Sequence, residues 1–362
     1  MELRGSENPA LVPIASTVAA APTITYSDRS TGLVIFGILE MIAGALAALA
    51  IPFALLGIVM ARRLGTGMPR TNGFVGVLSY AFAAAVLLTL GIGAIQAKRW
   101  ARALNLIISW VWLIGGAVMT IGLTILLPRV MRPALLQASQ RQEMQGVSTG
   151  VMAVFLTLTI VFVAVFFVVL PLAFLLFYRS PNVEQTCKHR DPVDRWTDSL
   201  PLPVLAYGLM AGSAGVYMLV LSFSTPIFPF FGKYLTGIAG ASAMLVFAVI
   251  DAYIAYSFFR LNVRGWWVAL VSMIIRIVSS AITYARADIM QAYGRLGWSQ
   301  QQLDALKSNP VFNTDKFLWI SLLFTLCYAG FLIWTKRYFP SPAPPNENAI
   351  DVSSSAPIQL GS

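Results

Sequence analysis

Gln145 to Tyr178 reads QGVSTGVMAVFLTLTIVFVAVFFVVLPLAFLLFY, 34 residues without an Asp, Glu, Lys or Arg. A helix needs about 20 apolar residues to cross a hydrocarbon core about 30 Å thick, so this run is a membrane span rather than a core helix. The span itself is assigned from Val151 to Tyr178. Three apolar stretches precede it: Gly32 to Met60, Gly73 to Ala97, and a third that leaves the KRWAR turn (Lys98 to Arg102) and ends near Leu127. Four follow, at Pro203 to Ser224, Leu235 to Phe259, Trp266 to Ala285 and Phe317 to Thr335. The expected fold is an all-α integral membrane protein of about eight transmembrane helices, with the lipid bilayer as its first partner.

Composition agrees with that reading. Hydrophobic residues make 57% of the chain and charged residues 11%, with a mean hydropathy of +0.74. Soluble domains average about 25% charged residues, so a water-facing surface could not be covered here. The net charge of +10 is carried by Lys and Arg in short segments beside the spans, where anionic head groups attract them. No basic patch is interleaved with aromatics on a soluble domain, and no nucleic-acid partner is expected.

The second four spans echo the first four at an offset of roughly 165 positions. GILEMIAG (Gly37 to Gly44) aligns with GLMAGSAG (Gly208 to Gly215), and RWARAL (Arg99 to Leu104) with GWWVAL (Gly265 to Leu270). Both third-to-fourth connections are long and Gln-rich, and both fourth spans end in an aromatic, basic and proline exit, FYRSP and KRYFP. An even number of spans per unit makes the two repeats parallel. The chain then divides into a polar N-terminal tail (1–31), a first four-helix repeat (32–178), a cytoplasmic inter-repeat loop (179–202), a second repeat (203–339) and a disordered, Pro- and Ser-rich tail (340–362). Orientation rests on the two shortest basic turns, which are placed inside; this puts both termini in the cytoplasm.

Charges within spans point to function, because a charge at mid-bilayer costs about 2.5–3.5 kcal/mol on insertion scales and faces protein or water. Glu40, Asp251 and Arg276 are the intramembrane candidates. Asp251 and Arg276 lie about 12 and 13 residues either side of a turn centred near Val263, which predicts an ion pair with Glu40 as a possible third member. Gly208, Gly212 and Gly215 form a small-residue face for packing between neighbouring spans. Pro52 and Pro171 should kink their spans or free a carbonyl. Ser299 and Gln302 form a capping box at the start of a short surface helix over Gly297 to Pro310, with Trp298 as an interfacial anchor.

Several motifs of soluble enzymes are missing: GxxxxGK[ST], GxGxxG after a strand and HExxH do not occur. His189 is the sole histidine, and a metal corner of Cys187, His189 and Asp191 has no fourth ligand. No catalytic residue, cofactor or metal is therefore expected, and Cys187 and Cys327 are not expected to bridge.

GIGAIQAKRWARAL (Gly91 to Leu104) and FYRSPNVEQTCKHRDPVDRWTDSLPLPVL (Phe177 to Leu205) resemble a group of uncharacterised bacterial multi-pass membrane proteins of the Acidobacteria type. The more distinctive part is the loop bearing Pro181, Cys187, Asp191, Pro192, Trp196, Thr197, Asp198 and Pro201. The resemblance covers most of the spans and implies a bacterial inner membrane, but no reaction. Two functions are carried forward. The first is a structural or interaction subunit whose inner loop docks a protein partner through Arg190, Asp191, Arg195, Trp196 and Asp198. The second is a small-molecule or ion transporter with its site between the repeats.

Overall fold

The computed structural model describes residues 26–63, 70–140, 149–308 and 314–340. The first half of the chain comprises α1 (Ser30–Arg63), α2 (Arg70–Ile95), α3 (Arg99–Gln140), α4 (Thr149–Ala164), a π-helical turn (Val165–Val169) and α5 (Leu170–Arg179). A short helix α6 (Pro181–Arg190) and an extended segment lead to α7 (Leu202–Ser224), a hairpin of β1 (Ile227–Phe230) and β2 (Lys233–Thr236), α8 (Gly237–Phe259) and α9 (Val263–Arg286). The chain then forms α10 (Ile289–Arg295), α11 (Gln300–Ser308) and α12 (Thr314–Thr335). Among the described residues seven helices are long and apolar enough to cross a membrane, the last of them Val263–Arg286. Large side chains such as Phe53, Phe162, Phe223 and Val249 face outward, as lipid-facing surfaces require. The chain is a multi-pass, all-α membrane protein.

Helix pairing follows the small residues. A Cβ on Gly37 would lie 2.8 Å from the Gly91 carbonyl oxygen, and one on Gly91 would lie 2.7 Å from that of Gly37, so α1 and α2 touch backbone to backbone. In α7, Gly208 faces Phe259, Gly212 faces Ala255 and Gly215 faces Ala248 and Asp251. The small-residue face is used within the chain, as expected.

The two tight turns close in the same way. At the end of α2, Ala97 is left-handed (φ +53°), and the N–H groups of Ala97 and Lys98 donate to the carbonyls of Ala94 and Gly93 at 2.9 Å each. At the end of α8, Leu261 is left-handed (φ +51°), and Leu261 and Asn262 donate to Phe258 and Ser257 at 3.0 and 2.9 Å. Both are Schellman closures, which satisfy carbonyls a helix end leaves bare. Just beyond each turn a side chain reaches the end of another helix. Arg102 Nε donates to the Tyr178 carbonyl at 3.1 Å, and Trp266 Nε1 to the Leu332 carbonyl at 2.9 Å.

Pro171 explains the π turn. It cannot donate to the Phe167 carbonyl four residues earlier, and the helix widens there, with the Leu170 N–H donating to Val165. The freed Phe167 carbonyl points at α3, where a Cβ on Gly116 would lie 1.9 Å from it.

One segment differs from the sequence reading, and the Gln-rich connector agrees with its helical character. α3 continues as helix to Gln140, through the first ten residues of that connector (Met131 to Gln145), the rest of which lies outside the described residues. The segment before the sixth span folds as a hairpin with Ile227 opposite Thr236, turning at Phe231 and Gly232, both with positive φ (+39° and +97°). Its tip is fastened to α9: Phe231 N–H donates to Ser279 Oγ (3.1 Å), Gly232 N–H to Thr283 Oγ1 (3.0 Å), and Ser279 Oγ to the Pro229 carbonyl (2.9 Å). The N-terminal tail is described only from Tyr26, and the C-terminal tail only at Pro340; the remainder of each lies outside the described residues. The capping box forms as read: Ser299 N–H donates to Gln302 Oε1 at 2.9 Å and Gln302 N–H to Ser299 Oγ at 3.4 Å.

Two apolar cores result. One gathers Leu33, Leu106, Phe174, Leu175, Tyr178 and Val183; the other gathers Val204, Tyr207, Ile254, Phe258, Trp266 and Leu332. Ile107, Leu205 and Ala206 join them.

Candidate functional site

A cavity of about 880 Å³ lies among α7, α8, α9 and α12. It follows one face of α9 from Ala269 to Ala285, roughly 24 Å at the helical rise. Ser272, Arg276, Ser280 and Tyr284 recur along that face every fourth residue, which stacks them in one line. The opposite wall carries Tyr207 of α7 and Tyr328 of α12, stacked at 5.1 Å, with Tyr207 also stacked on Phe258 at 4.5 Å.

Asp251 and Arg276 meet in this wall. Arg276 Nη2 donates to Asp251 Oδ1 at 2.6 Å, matching the depths inferred from their turn. The guanidinium also lies over the Phe247 ring at 4.6 Å, and Phe247 stacks on Phe228 of β1 at 5.0 Å. Asp251 is 6% exposed at its side chain and Arg276 27%, and both line the cavity. Asp251 Oδ2, Arg276 Nε and Ser272 Oγ are buried without a hydrogen-bond partner.

Glu40 is elsewhere. It is buried in the first core, where the Tyr178 hydroxyl donates to Oε1 at 3.0 Å and Asn105 of α3 faces both groups. Glu40 Oε2 and Asn105 Nδ2 lack partners of good geometry. Glu40 is thus not a third member of the Asp251 pair, and the cavity does not reach it. Tyrosine at the end of an apolar run reads as an interfacial anchor, which is why the sequence reading passed over this partner. The serine stripe was passed over because serine is common at helix contacts in membranes; its fourfold spacing on both sides of an arginine was the available signal.

The loop between α5 and α7 pairs with its own chain. Glu184 takes Arg102 Nη2 at 2.9 Å and Lys188 Nζ at 2.7 Å. Asp191 takes both terminal nitrogens of Arg195, at 2.6 and 3.3 Å, and the Arg99 N–H at 3.2 Å. The Arg99 guanidinium pairs with Asp194 and lies 3.6 Å from Asp198, whose carboxylate also accepts the Arg195 N–H at 2.9 Å. Arg190 reaches Asp28 at 3.4 Å. The hydrogen bond from Arg195 holds the Asp191 carboxyl below the ordinary aspartate range, and that from Lys188 holds Glu184 below its own. Trp196 is mostly exposed and sets its edge on Phe259 of α8 at 5.4 Å, so the loop bridges the two halves.

Cys187 is turned into the first core, and burial pushes its thiol up to about 11. His189 is exposed beside Tyr26. Among the described residues no three His, Cys, Asp or Glu side chains converge as metal ligands. Comparison with models of protein families, with curated proteins and with solved structures found no match.

Proposed function

We propose that this chain is an eight-span, two-repeat protein of a bacterial inner membrane that takes a small molecule into the cavity of its second unit, in the manner of a transporter. The observation that carries the reading is the line Ser272, Arg276, Ser280 and Tyr284 facing an 880 Å³ space at membrane depth. A helix buried in a dry bundle has no use for such a line, since each polar group facing apolar neighbours costs free energy. The site is placed within one unit rather than between the two.

Duplication is supported by the two Schellman closures, whose left-handed residues Ala97 and Leu261 stand 164 positions apart. In that register Arg102 corresponds to Trp266, and each donates to a carbonyl at the end of its unit's last helix. This shifts by two residues the pairing of Trp100 with Trp266 that the sequence suggests. The same register sets Trp112 opposite Arg276. Trp112 lies edge-on to Phe166 at 5.4 Å, so the first unit carries an aromatic where the second carries its charge. The eighth span is α12, which covers the expected Phe317 to Thr335. The basic turn and helix start carrying Lys98, Arg99 and Arg102 support a cytoplasmic position for that face, by the excess of Lys and Arg on inner segments.

A scaffold role with a protein partner on the inner loop draws on the exposed Val193 and Trp196. The other docking candidates, Arg190, Asp191, Arg195 and Asp198, are already engaged within the chain.

Cysteine accessibility tests the cavity. In a chain with Cys327 replaced by Ser, Ser280→Cys should react with a charged, water-borne methanethiosulfonate, whereas Val278→Cys, on the lipid-facing side, should not. Equal inertness at Ser280→Cys and Ser272→Cys would mean a dry bundle and would remove the reading.

A further inference from the structure

Resting on the cavity reading above, we propose that the ligand is an organic carboxylate with an apolar body, that it displaces Asp251 from Arg276, and that Asp251 takes up a proton as it does so. The geometry of the pair is the basis. Arg276 spends one nitrogen, Nη2, on one oxygen of Asp251, although a guanidinium can hold a carboxylate through two parallel N–H groups. Its Nε has no partner, and of the two charges lining the cavity the arginine is the more exposed. The Phe247 ring under the guanidinium fixes the cation while its acceptor changes. Around it the walls are apolar and aromatic, with Ile254, Met273, Ile277 and Phe324, which suits a hydrocarbon or aryl body.

Charge balance supplies the proton. Asp251 and Arg276 together are neutral, and a second carboxylate beside them would leave two anions on one cation in a poorly solvated space. Among the described residues the groups facing Asp251 are Arg276 on α9, Tyr207 on α7 and Tyr328 on α12, with no second cation beside it. A proton from water on Asp251 Oδ2, the atom without a partner, restores neutrality: one proton and one carboxylate enter, and the site holds a neutral acid, a guanidinium and the bound anion. The protonated Asp251 becomes a donor. A fatty acid arriving through the bilayer and an aryl carboxylate arriving from water offer the same chemistry.

Titration calorimetry of the full-length protein in detergent, with laurate and phenylacetate as probes and in buffers of different ionisation enthalpy, tests this. For at least one probe, binding should take up about one proton, and affinity should fall about tenfold per pH unit as pH rises. Laurate alone binding in this way identifies a lipid-borne ligand; phenylacetate binding in this way identifies a water-borne one. Asp251→Asn should bind about tenfold more tightly than wild type at neutral pH, with no pH slope, and Arg276→Gln should not bind. The wild-type slope decides the matter if either variant fails to fold. Binding without proton uptake overturns the exchange. Failure of both probes while Ser280→Cys still reacts overturns the ligand class and leaves the cavity standing.

Discussion

An arginine midway along α9 needs an acceptor at its own depth, and counting along the helices found one. Asp251 lies 12 residues before Val263 and Arg276 13 after it, and their side chains meet at 2.6 Å. That contact was legible because two antiparallel helices joined by a tight turn share a depth scale of about 1.5 Å per residue. The site around it was less legible: Tyr207 and Tyr328 come from helices whose neighbours are set by packing of the whole bundle, which no residue spacing encodes. Removing one charge should cost more than removing both. Asp251→Ala should destabilise the protein by about 3 kcal/mol, because it strands a part-buried guanidinium at membrane depth, and adding Arg276→Met should recover much of that loss. Thermal unfolding of the two variants in the same detergent checks it; equal and small losses would mean the charges do not interact.

At the scale of elements, the spans, the tight turns and the capped α11 were readable from apolar length, short tryptophan-bearing basic turns and a capping pair. The β-hairpin was not, because Ile227 to Thr236 is mostly apolar, with Lys233 its only charge, and merges into the helix that follows. Its partners, Ser279 and Thr283, sit some 50 residues away. Pro171 announced a free carbonyl, but only the packing shows that α3 receives it at Gly116. Adjacent glycines separate packing from helix propensity. Gly116→Ala must push α4 and α5 away from α3 and should lower the melting temperature, whereas Gly115→Ala, with nothing within 4 Å of its new Cβ, should be neutral or gain up to about 1 kcal/mol. Equal effects would mean that the carbonyl does not lean on Gly116.

The loop between α5 and α7 carries a pH dependence of definite sign. Because partners lower the Asp191 and Glu184 carboxyls in the folded state, their contribution is complete above the ordinary values of 3.8 and 4.5 and is lost as pH falls through the lowered ones. A spin label on Val193→Cys should therefore stay immobile through neutral and mildly acidic pH and loosen only in strong acid. Release near neutrality would show that these carboxylates do not hold the loop.

For the whole molecule, one apolar core draws on residues from Leu33 to Cys187 and the other on residues from Val204 to Phe339, while the unequal contents of the two proposed repeats were hidden in single positions such as Trp112 and Arg276. Topology can be read at the loop, though not through its natural thiol: Cys187 is buried and its thiol is pushed up to about 11, so it should label poorly from either side. Val193→Cys is exposed and serves instead. A membrane-impermeant maleimide should modify it only after the cells are broken; modification in intact cells would invert the orientation.

The ion pairs of the loop also bear on how the chain is made. Glu184, Asp191, Asp194 and Asp198 bind Arg99, Arg102, Lys188 and Arg195, all of which have been synthesised by the time Leu202 is added. The first half can lock before the second is complete, and at about 5–20 residues per second it has several seconds to do so. The later half is then inserted against a finished wall, with Leu205 and Ala206 meeting Ile107. Asp251 and Arg276 lie on neighbouring helices joined by one tight turn, so they can enter the bilayer together, each cancelling the other's charge during insertion.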